Sequence, residues 1–418
     1  MDDPGDLMAG VNSIVREPLG QIRFPFMTQR EVRFPDRFSW GTSTSAYQTE
    51  GGGSNTDWWR YERAKGTHCA EVCGDACDSW NRYEEDLDLI VELGLNSYRL
   101  SVEWARVEPE RGVIDSVALA HYRRMLEACH ARSILPVVTL HHFTLPLWVA
   151  DLGGFECPEI ASLMGSYALV VGDALGDLIG IACTVNEPNI VAMMGYLLGA
   201  FPPAQSDWNR FSQVNIAMRA CHVAMRDALR SLPGHYPIGM PLSMNEYEAL
   251  PGGEDLVTLI QHEMEDEYLR AVGDDDYLGV QCYTKIIIGP DGRITDPDGE
   301  KTEMGYLFWP QSVEYTIRRA ASFVDIPIIM TENGIGTDDD EQRIRYLTGA
   351  LAGLSNVIAD GIDVRGYFQW SLLDNFEWTF GYRPKFGIVA VDRTTFARTP
   401  KPSAQWYAEA TREFATPQ

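Results

Sequence analysis

Two glutamates in this chain stand in short polar strings that end apolar runs. Glu187 lies in Thr-Val-Asn-Glu-Pro at 184–188, and Glu332 lies in Thr-Glu-Asn-Gly at 331–334. Two carboxyl groups can cleave a glycosidic bond, because one donates a proton while the other attacks the sugar or activates water. A single glutamate at a strand end is more often part of a structural ion pair. It is therefore the pair that indicates catalysis.

Polar and aromatic residues end several other apolar runs in the same way. An apolar run that ends in a polar group is typical of a barrel strand whose carboxyl end opens on a functional site. We expect these residues to surround the two glutamates, and they are Arg99, Glu103-Trp104, His141-His142, Asn186, Tyr283 and Trp370.

The elements that would position these groups form a repeating pattern, a short apolar strand followed by an amphipathic helix. Most of the strands are near-continuous apolar runs, as expected for parallel strands buried on both faces. Eight such units favour an α/β fold with a single (β/α)8 TIM barrel over an open doubly wound sheet. The predicted strands span 38–44, 97–102, 135–142, 181–186, 237–243, 278–284, 326–332 and 366–371.

The helix after the first strand illustrates the pattern. Asp78 is expected to cap its start and Gly94 to end it. The residues expected on its buried face are Tyr83, Leu87, Ile90 and Val91.

No linker or internal repeat divides the chain. Residues 31–418 are therefore predicted to form one catalytic barrel, and residues 1–30, with their scattered Pro and Gly, an N-terminal arm. The Asp- and Gly-rich stretch at 289–300 is predicted to be a surface hairpin or loop rather than a domain boundary.

Composition excludes some classes of protein. The 418 residues carry a formal net charge of −26, which disfavours binding to nucleic acid or to an anionic membrane. No run of about 18 apolar residues is present, and the first 30 residues do not resemble a secretory signal, so a cytoplasmic location is expected.

The eight cysteines are mostly expected to be small core residues, as Cys129, Cys183 and Cys221 are within apolar segments. The exception is a cluster with two gaps of three residues between its cysteines. It could hold a metal or an iron–sulfur cluster, or it could form a disulfide, but plain loop thiols are favoured because the spacing differs from C-x3-C-x2-C. No metal or cofactor is expected, and the residues of the cluster are His68, Cys69, Cys73 and Cys77.

Five strings, in order along the chain, carry a resemblance to a known family. Besides the two glutamate strings they are F-S-W-G-T-S-T-S-A-Y-Q-T-E-G at 38–51, N-S-Y-R-L-S-V-E-W at 96–104 and W-S-L-L-D-N-F-E-W at 370–378. With these strings the chain resembles glycoside hydrolase family 1, the β-glucosidase family, from Phe34 to about Phe414.

The resemblance implies a retaining exo-β-glycosidase, most specifically a β-glucosidase, acting through a covalent glycosyl-enzyme. Its substrates would be small β-glycosides or oligosaccharides with a terminal unphosphorylated β-D-glucoside, and also β-fucosides and β-galactosides. Glu187 would be the acid/base and Glu332 the nucleophile, with Arg99 and Tyr283 keeping Glu332 ionised. The implied sugar-binding residues are Gln48, His142, Asn186, Trp370, Glu377, Trp378 and Phe386.

The chain departs from the common family pattern at two strand ends. It has His142-Phe143-Thr144 where His-Trp-Asp is common, and Gln281-Cys282-Tyr283 where Asn-Tyr-Tyr is common. Both changes concern the sugar and leaving-group preference and leave the glutamate pair intact. The stretch at 377–382 also differs from that of the family's phosphoglycosidases.

Other functions compete with this interpretation. An endo-acting cellulase or mannanase also carries Asn-Glu-Pro and a second strand-end Glu, but Gln48 with Glu377-Trp378 would close the pocket around one terminal sugar. A sugar-binding protein without activity is disfavoured because both glutamates are present. An iron–sulfur enzyme is disfavoured by the cysteine spacing.

Overall fold

A computed structural model of the protein describes residues 34–35, 37–294 and 298–415. The N-terminal arm predicted for residues 1–30 lies outside the described residues. Eight parallel strands form the centre of the fold. They are β1 (Ser39–Ser43), β2 (Ser97–Ser101), β3 (Leu135–His141), β4 (Ile181–Val185), β5 (Ile238–Ser243), β6 (Tyr277–Cys282), β7 (Ile328–Asn333) and β8 (Val364–Trp370).

These strands close into a barrel in chain order, with β8 paired back to β1. Ser39 lies opposite Gly366, and Ser43 lies opposite Trp370. The predicted (β/α)8 barrel is confirmed, and the open sheet was the wrong alternative. Every predicted strand coincides with an observed one to within two residues at each end.

One principal helix follows each strand and covers the outside of the barrel. The first four are α1 (Ser79–Glu92), α2 (Ser116–Ala131), α3 (Ile160–Leu175) and α4 (Trp208–Arg230). The others are α5 (Glu254–Gln261, extended through π turn His262–Asp266 to Glu267–Ala271), α6 (Ser312–Ala321), α7 (Asp340–Ala359) and α8 (Pro402–Ala415). None of the helices in the described ranges is long and apolar enough to cross a membrane.

Shorter elements build the loops at the carboxyl ends of the strands. The short helical segments are Ala46–Thr49, Asp57–Arg63, Trp104–Val107, Leu147–Asp151, Gly154–Glu156, Pro188–Ala192, Met193–Leu197 and Trp378–Phe380. Two small sheets consist of Glu246–Ala249, Lys285–Gly289 and Gly292–Ile294, and of Val389–Val391 and Arg398–Pro400. The antiparallel pairing of Lys285–Gly289 with Gly292–Ile294 confirms the predicted hairpin up to residue 294.

The helix α1 corrects two details of the sequence analysis. Asp78 occupies the N-cap position, but its side chain does not cap the helix and instead accepts hydrogen bonds from Asn81 and Arg82. Val91 is 47% exposed, whereas Asp86 is buried because it forms an ion pair with Arg398 from far along the chain. A buried acid on the packing face cannot be read from apolar periodicity alone.

The barrel interior is apolar below the mouth. Val137, Ile181, Tyr277, Ile329 and Phe368 form one buried cluster drawn from five different strands. This cluster supports the polar groups that end the same strands. Gly41 is needed beside it, because a β-carbon there would lie 2.6 Å from the ring of Phe368.

All eight cysteines are free thiols. Cys129, Cys183 and Cys221 are buried, as predicted. In the loop after β1, the thiols of Cys73 and Cys77 donate to the backbone oxygens of Tyr47 and Asp374. Within the described ranges, no group of three or more His, Cys, Asp or Glu side chains could hold a metal ion.

Asp57 ties two of the loops at the mouth together. Its Oδ1 accepts hydrogen bonds from the backbone N–H groups of Trp58, at 2.8 Å, and Leu145, at 2.9 Å. Burial raises the pKa of this carboxyl to about 7, against the hydrogen bonds that lower it. In the unfolded chain, the pKa of the same carboxyl is about 3.9. Its contribution to stability is therefore fully present below about pH 4 and is lost as the pH rises to 7.

The variant Asp57→Asn should be more stable than wild type at high pH, because the amide keeps the Oδ1 acceptor and cannot ionise. Its advantage should grow from pH 4 to pH 7 and then stay constant, at roughly 2–4 kcal/mol. Thermal unfolding followed across this pH range measures the effect. Asp177→Asn is the matched control of opposite sign, because a hydrogen bond from Arg123 lowers the pKa of that carboxyl. An advantage of Asp57→Asn that is independent of pH would show that Asp57 is ionised in the folded protein.

Candidate active site

The polar groups singled out in the sequence meet at the carboxyl ends of the barrel strands. Arg99 lies in β2, Asn186-Glu187 follow β4, Tyr283 follows β6, and Glu332 lies near the end of β7. Parallel strands in a barrel bring these ends to one rim. The two glutamates at this rim have different surroundings.

Glu332 is held by two donors. Arg99 Nη1 lies 2.5 Å from its Oε1, and the hydroxyl of Tyr283 lies 2.5 Å from its Oε2. Burial raises the pKa of Glu332, while the charge of Arg99 and the hydrogen bond from Tyr283 lower it. Arg99 and Tyr283 favour the ionised form of Glu332, as expected, but the effect of burial is larger, so the pKa of Glu332 is raised overall.

Glu187 has the opposite environment. Its Oε1 is buried and has no hydrogen-bond partner among the described residues. Burial, followed by the negative charge of Glu332, raises the pKa of Glu187 well above its usual value, and a hydrogen bond from Ser243 opposes this only in part. Glu187 therefore keeps its proton in conditions where Glu332, with its arginine, gives its proton up.

The backbone at Glu187 is unusual as well. With φ at 42°, this residue turns the chain from β4 into the short helix Pro188–Ala192. The left-handed conformation is uncommon for a residue with a side chain. Hydrogen bonds hold it, since the Glu187 N–H donates to the backbone oxygen of Pro241 at 2.9 Å and its own oxygen accepts from the N–H of Ile190.

Asn186 links the nucleophile side of the site to a histidine. Its Oδ1 accepts from Arg99 Nη2 at 2.6 Å, and its Nδ2 lies 3.2 Å from His142 Nε2. Burial lowers the pKa of His142 well below its usual value, so the imidazole is neutral. Since Asn186 Nδ2 can only donate, His142 Nε2 accepts and the ring proton sits on Nδ1.

Gln48 and Glu377 form a second polar group at the mouth. Gln48 Nε2 donates to the backbone oxygen of Phe376 at 2.8 Å and lies 3.3 Å from Glu377 Oε2, while Ser45 holds its amide oxygen. Burial, with the charge of Glu332, raises the pKa of Glu377 to about 8. The carboxyl of Glu377 is therefore mostly protonated at neutral pH in the free protein.

Aromatic rings line the same space. The ring of His142 lies nearly parallel to the rings of Trp370 and Trp378, with centroids 5.9 and 6.2 Å away. Phe386 meets Tyr283 edge-on at 6.0 Å. Together with the polar contacts, a hydrogen bond between Trp370 and Glu377 and the charge interaction between Glu332 and Glu187, these pairs bring together all eleven residues that the sequence analysis assigns to catalysis and sugar binding.

A sequence model for glycosyl hydrolase family 1 matches residues 30–268 and 284–414, nearly the whole chain. The chain belongs to this family. It is therefore a glycoside hydrolase, as the resemblance indicated. The unmatched gap at 269–283 includes β6, where the chain departs from the common family string.

Relatives in the family agree in length and fold. The chain is 33% identical to a thermostable beta-glucosidase B of Thermobispora bispora over 91% of each sequence. It superposes on the structure of beta-glycosidase BGL167 with a TM-score of 0.87, at 40% identity over 92% of this chain and 98% of that one. A beta-glucosidase from Thermotoga maritima in complex with glucoimidazole matches with a TM-score of 0.85, at 27% identity over 92% of this chain and all of that one.

Both departures from the family strings lie inside the site. Phe143, with φ at 73°, packs its ring 5.0 Å from Trp378, and the hydroxyl of Thr144 donates to Glu103 at 2.8 Å. The carboxyl of Glu103, just after β2, thus interacts with Thr144, the residue that replaces the common Asp. Gln281, on β6, reaches Asn186.

Sequence reasoning missed several residues of this site. Ser243 ends β5 and bonds to Glu187, and a polar residue ending an apolar run was a usable signal for it. Tyr306 comes from an irregular loop with no motif, yet burial, followed by the charges of Glu377 and Glu187, raises its pKa to about 12. Trp58 also packs against the site, with its ring centroid 4.5 Å from that of Trp378.

Proposed function

We propose that the protein is a retaining exo-β-glucosidase, with Glu332 as nucleophile and Glu187 as acid/base. The single observation that carries the proposal is the unequal environment of the two carboxyls. Glu332 has an arginine and a tyrosine hydroxyl, whereas Glu187 has a buried oxygen without a partner in the described part of the chain and a higher affinity for its proton. A retaining glycosidase needs one carboxylate and one carboxylic acid at rest.

In the first step, Glu332 attacks the anomeric carbon while Glu187 gives its proton to the leaving oxygen. The charge of Glu332 disappears in the glycosyl-enzyme, which removes one cause of the raised pKa of Glu187. Glu187 is then able to act as a base and take a proton from water. Water replaces Glu332 on the same face that the leaving group left, and the sugar is released with its β configuration.

Exo action is supported by the second polar group. Gln48, which is buried, lies within hydrogen-bond distance of Glu377, which is partly exposed, and Trp378 is next in the chain. Amide and carboxyl groups suit the hydroxyls of one terminal sugar, and the rings of Trp370 and Trp378 suit its C–H face. Asn186 and His142 suit the hydroxyls near the anomeric carbon, and Phe386 completes the wall.

Hydrolysis of a panel of aryl β-glycosides tests the proposal. The sugars to compare are glucose, galactose, fucose, xylose and mannose, and β-glucosides should be cleaved, together with β-fucosides and β-galactosides. Proton NMR early in the reaction should show β-glucose first, before mutarotation. If α-glucose came first, the mechanism would be inverting and the role of Glu332 would be wrong, even if the substrate class stood.

A further inference from the structure

Gln281 lies near the centre of the site, at a position where the common family string has asparagine. It lies in β6 between Ser243 of β5 and Glu332 of β7, the residues opposite it in the sheet. Its side chain is fully buried, so it does not face solvent from the rim. Its Nε2 donates to Asn186 Oδ1 at 2.9 Å, and a hydrogen bond from Gln281 also lowers the pKa of Glu332.

Asn186 Oδ1 consequently receives two donors. One is Gln281 Nε2, and the other is Arg99 Nη2 at 2.6 Å. If the amide of Asn186 were flipped, its own N–H groups would point at both donors, and two hydrogen bonds would be lost. The two donors together therefore hold Asn186 in a single orientation.

This orientation determines what Asn186 offers to a substrate. One N–H of its Nδ2 is directed at His142 Nε2, 3.2 Å away. An amide nitrogen has two hydrogens, so a second N–H remains. A sugar hydroxyl oxygen beside Glu187 can accept it, and the 2-hydroxyl is the one nearest the bond that breaks.

We propose that Gln281 is a positioning residue through which the enzyme recognises the 2-hydroxyl of its substrate, by holding the amide of Asn186 with its N–H toward that group. The inference rests on the proposed function, in which Asn186 binds the 2-hydroxyl. It goes further by assigning a role to a buried residue that does not touch the sugar. The longer glutamine reaches Asn186 from a strand where asparagine is common.

The test compares two substrates with the same aryl leaving group, a β-glucoside and its 2-deoxy analogue. Gln281→Met keeps the length and apolar volume of the side chain and removes the donor. It should lower kcat/KM for the glucoside about 10-fold more than for the 2-deoxy analogue, the scale for losing a neutral hydrogen bond, because loss of the hydrogen bond from Gln281 to Glu332 affects both substrates alike. Gln281→Asn keeps an amide one methylene shorter and should lose less than Gln281→Met on the glucoside.

Asn186→Ala, measured on the same pair of substrates, tests the contact between Asn186 and the 2-hydroxyl separately from the role of Gln281. If Asn186→Ala discriminates between the substrates and Gln281→Met lowers both equally, Gln281 has only a structural role and this inference is wrong. If Asn186→Ala does not discriminate either, the proposed contact with the 2-hydroxyl is wrong. Discrimination by both variants supports the inference.

Discussion

Replacement of Glu332 by alanine should reduce turnover of aryl β-glucosides by several orders of magnitude, the scale for removing a nucleophile. Added azide should then yield the α-glycosyl azide, because the small anion fits the space of the lost carboxylate and attacks from its face. Proton NMR of the product reads the anomeric configuration directly. Glu332→Gln is a control that fills the space, so azide should rescue it poorly.

Glu187→Ala completes the comparison, because azide should give the opposite anomer. A substrate with a good leaving group still forms the glycosyl-enzyme on Glu332 without an acid, and azide then displaces Glu332 to give the β-azide. For poor leaving groups the loss should be roughly 10²–10⁴-fold, the usual range for a general acid. A β-azide from Glu332→Ala and an α-azide from Glu187→Ala would exchange the two assignments.

Glu377→Ser should weaken transition-state binding of β-glucosides by roughly 1–3 kcal/mol, measured from kcat/KM, the scale for losing two hydrogen bonds to a carboxyl that is mostly protonated at neutral pH. We expect Glu377 to meet the 4- and 6-hydroxyls. A 6-deoxy sugar uses only part of this contact, so β-fucosides should lose less in the same variant. Kinetics on the matched glucoside and fucoside measure the difference, and Glu377→Gln, which keeps one acceptor, should fall between wild type and serine.

Wild type should also prefer plain β-glucosides over 6-phospho-β-glucosides. Because the pKa of Glu377 is raised to about 8, this carboxyl is mostly protonated at neutral pH. Its repulsion of a phosphate group is therefore not the only reason for the preference. Burial of a phosphate requires cations or donors, whereas the causes that shift the pKa of this carboxyl are burial, the negative charge of Glu332 and hydrogen bonds from Gln48 and Trp370. A preference for the phosphorylated substrate would show that residues 377–382 are misinterpreted, although the barrel and the glutamate pair would stand.

Much of the fold was predictable because parallel barrel strands carry a strong local signal. The runs at 135–142 and 181–186 are apolar along their length and end in polar groups, and both are strands of the barrel. Helix faces were less predictable. Val91 fits the apolar period of α1 but is exposed, whereas the acidic Asp86 is buried beside Arg398, 312 residues later in the chain.

The sequence by itself determined the barrel and the family, and it singled out the two glutamates that we propose as the catalytic pair, since each depends on residue types at short spacing. Only the tertiary structure decided how these glutamates differ. Their pKa order depends on burial and on charges from other strands, with Arg99 and Tyr283 beside Glu332 and neither bonded to Glu187. Gln281 acquires its partner in the same way, because β4 and β6 both pair with β5 in the barrel and bring it to Asn186, 95 residues away in sequence. Such contacts leave no periodic signal along the chain.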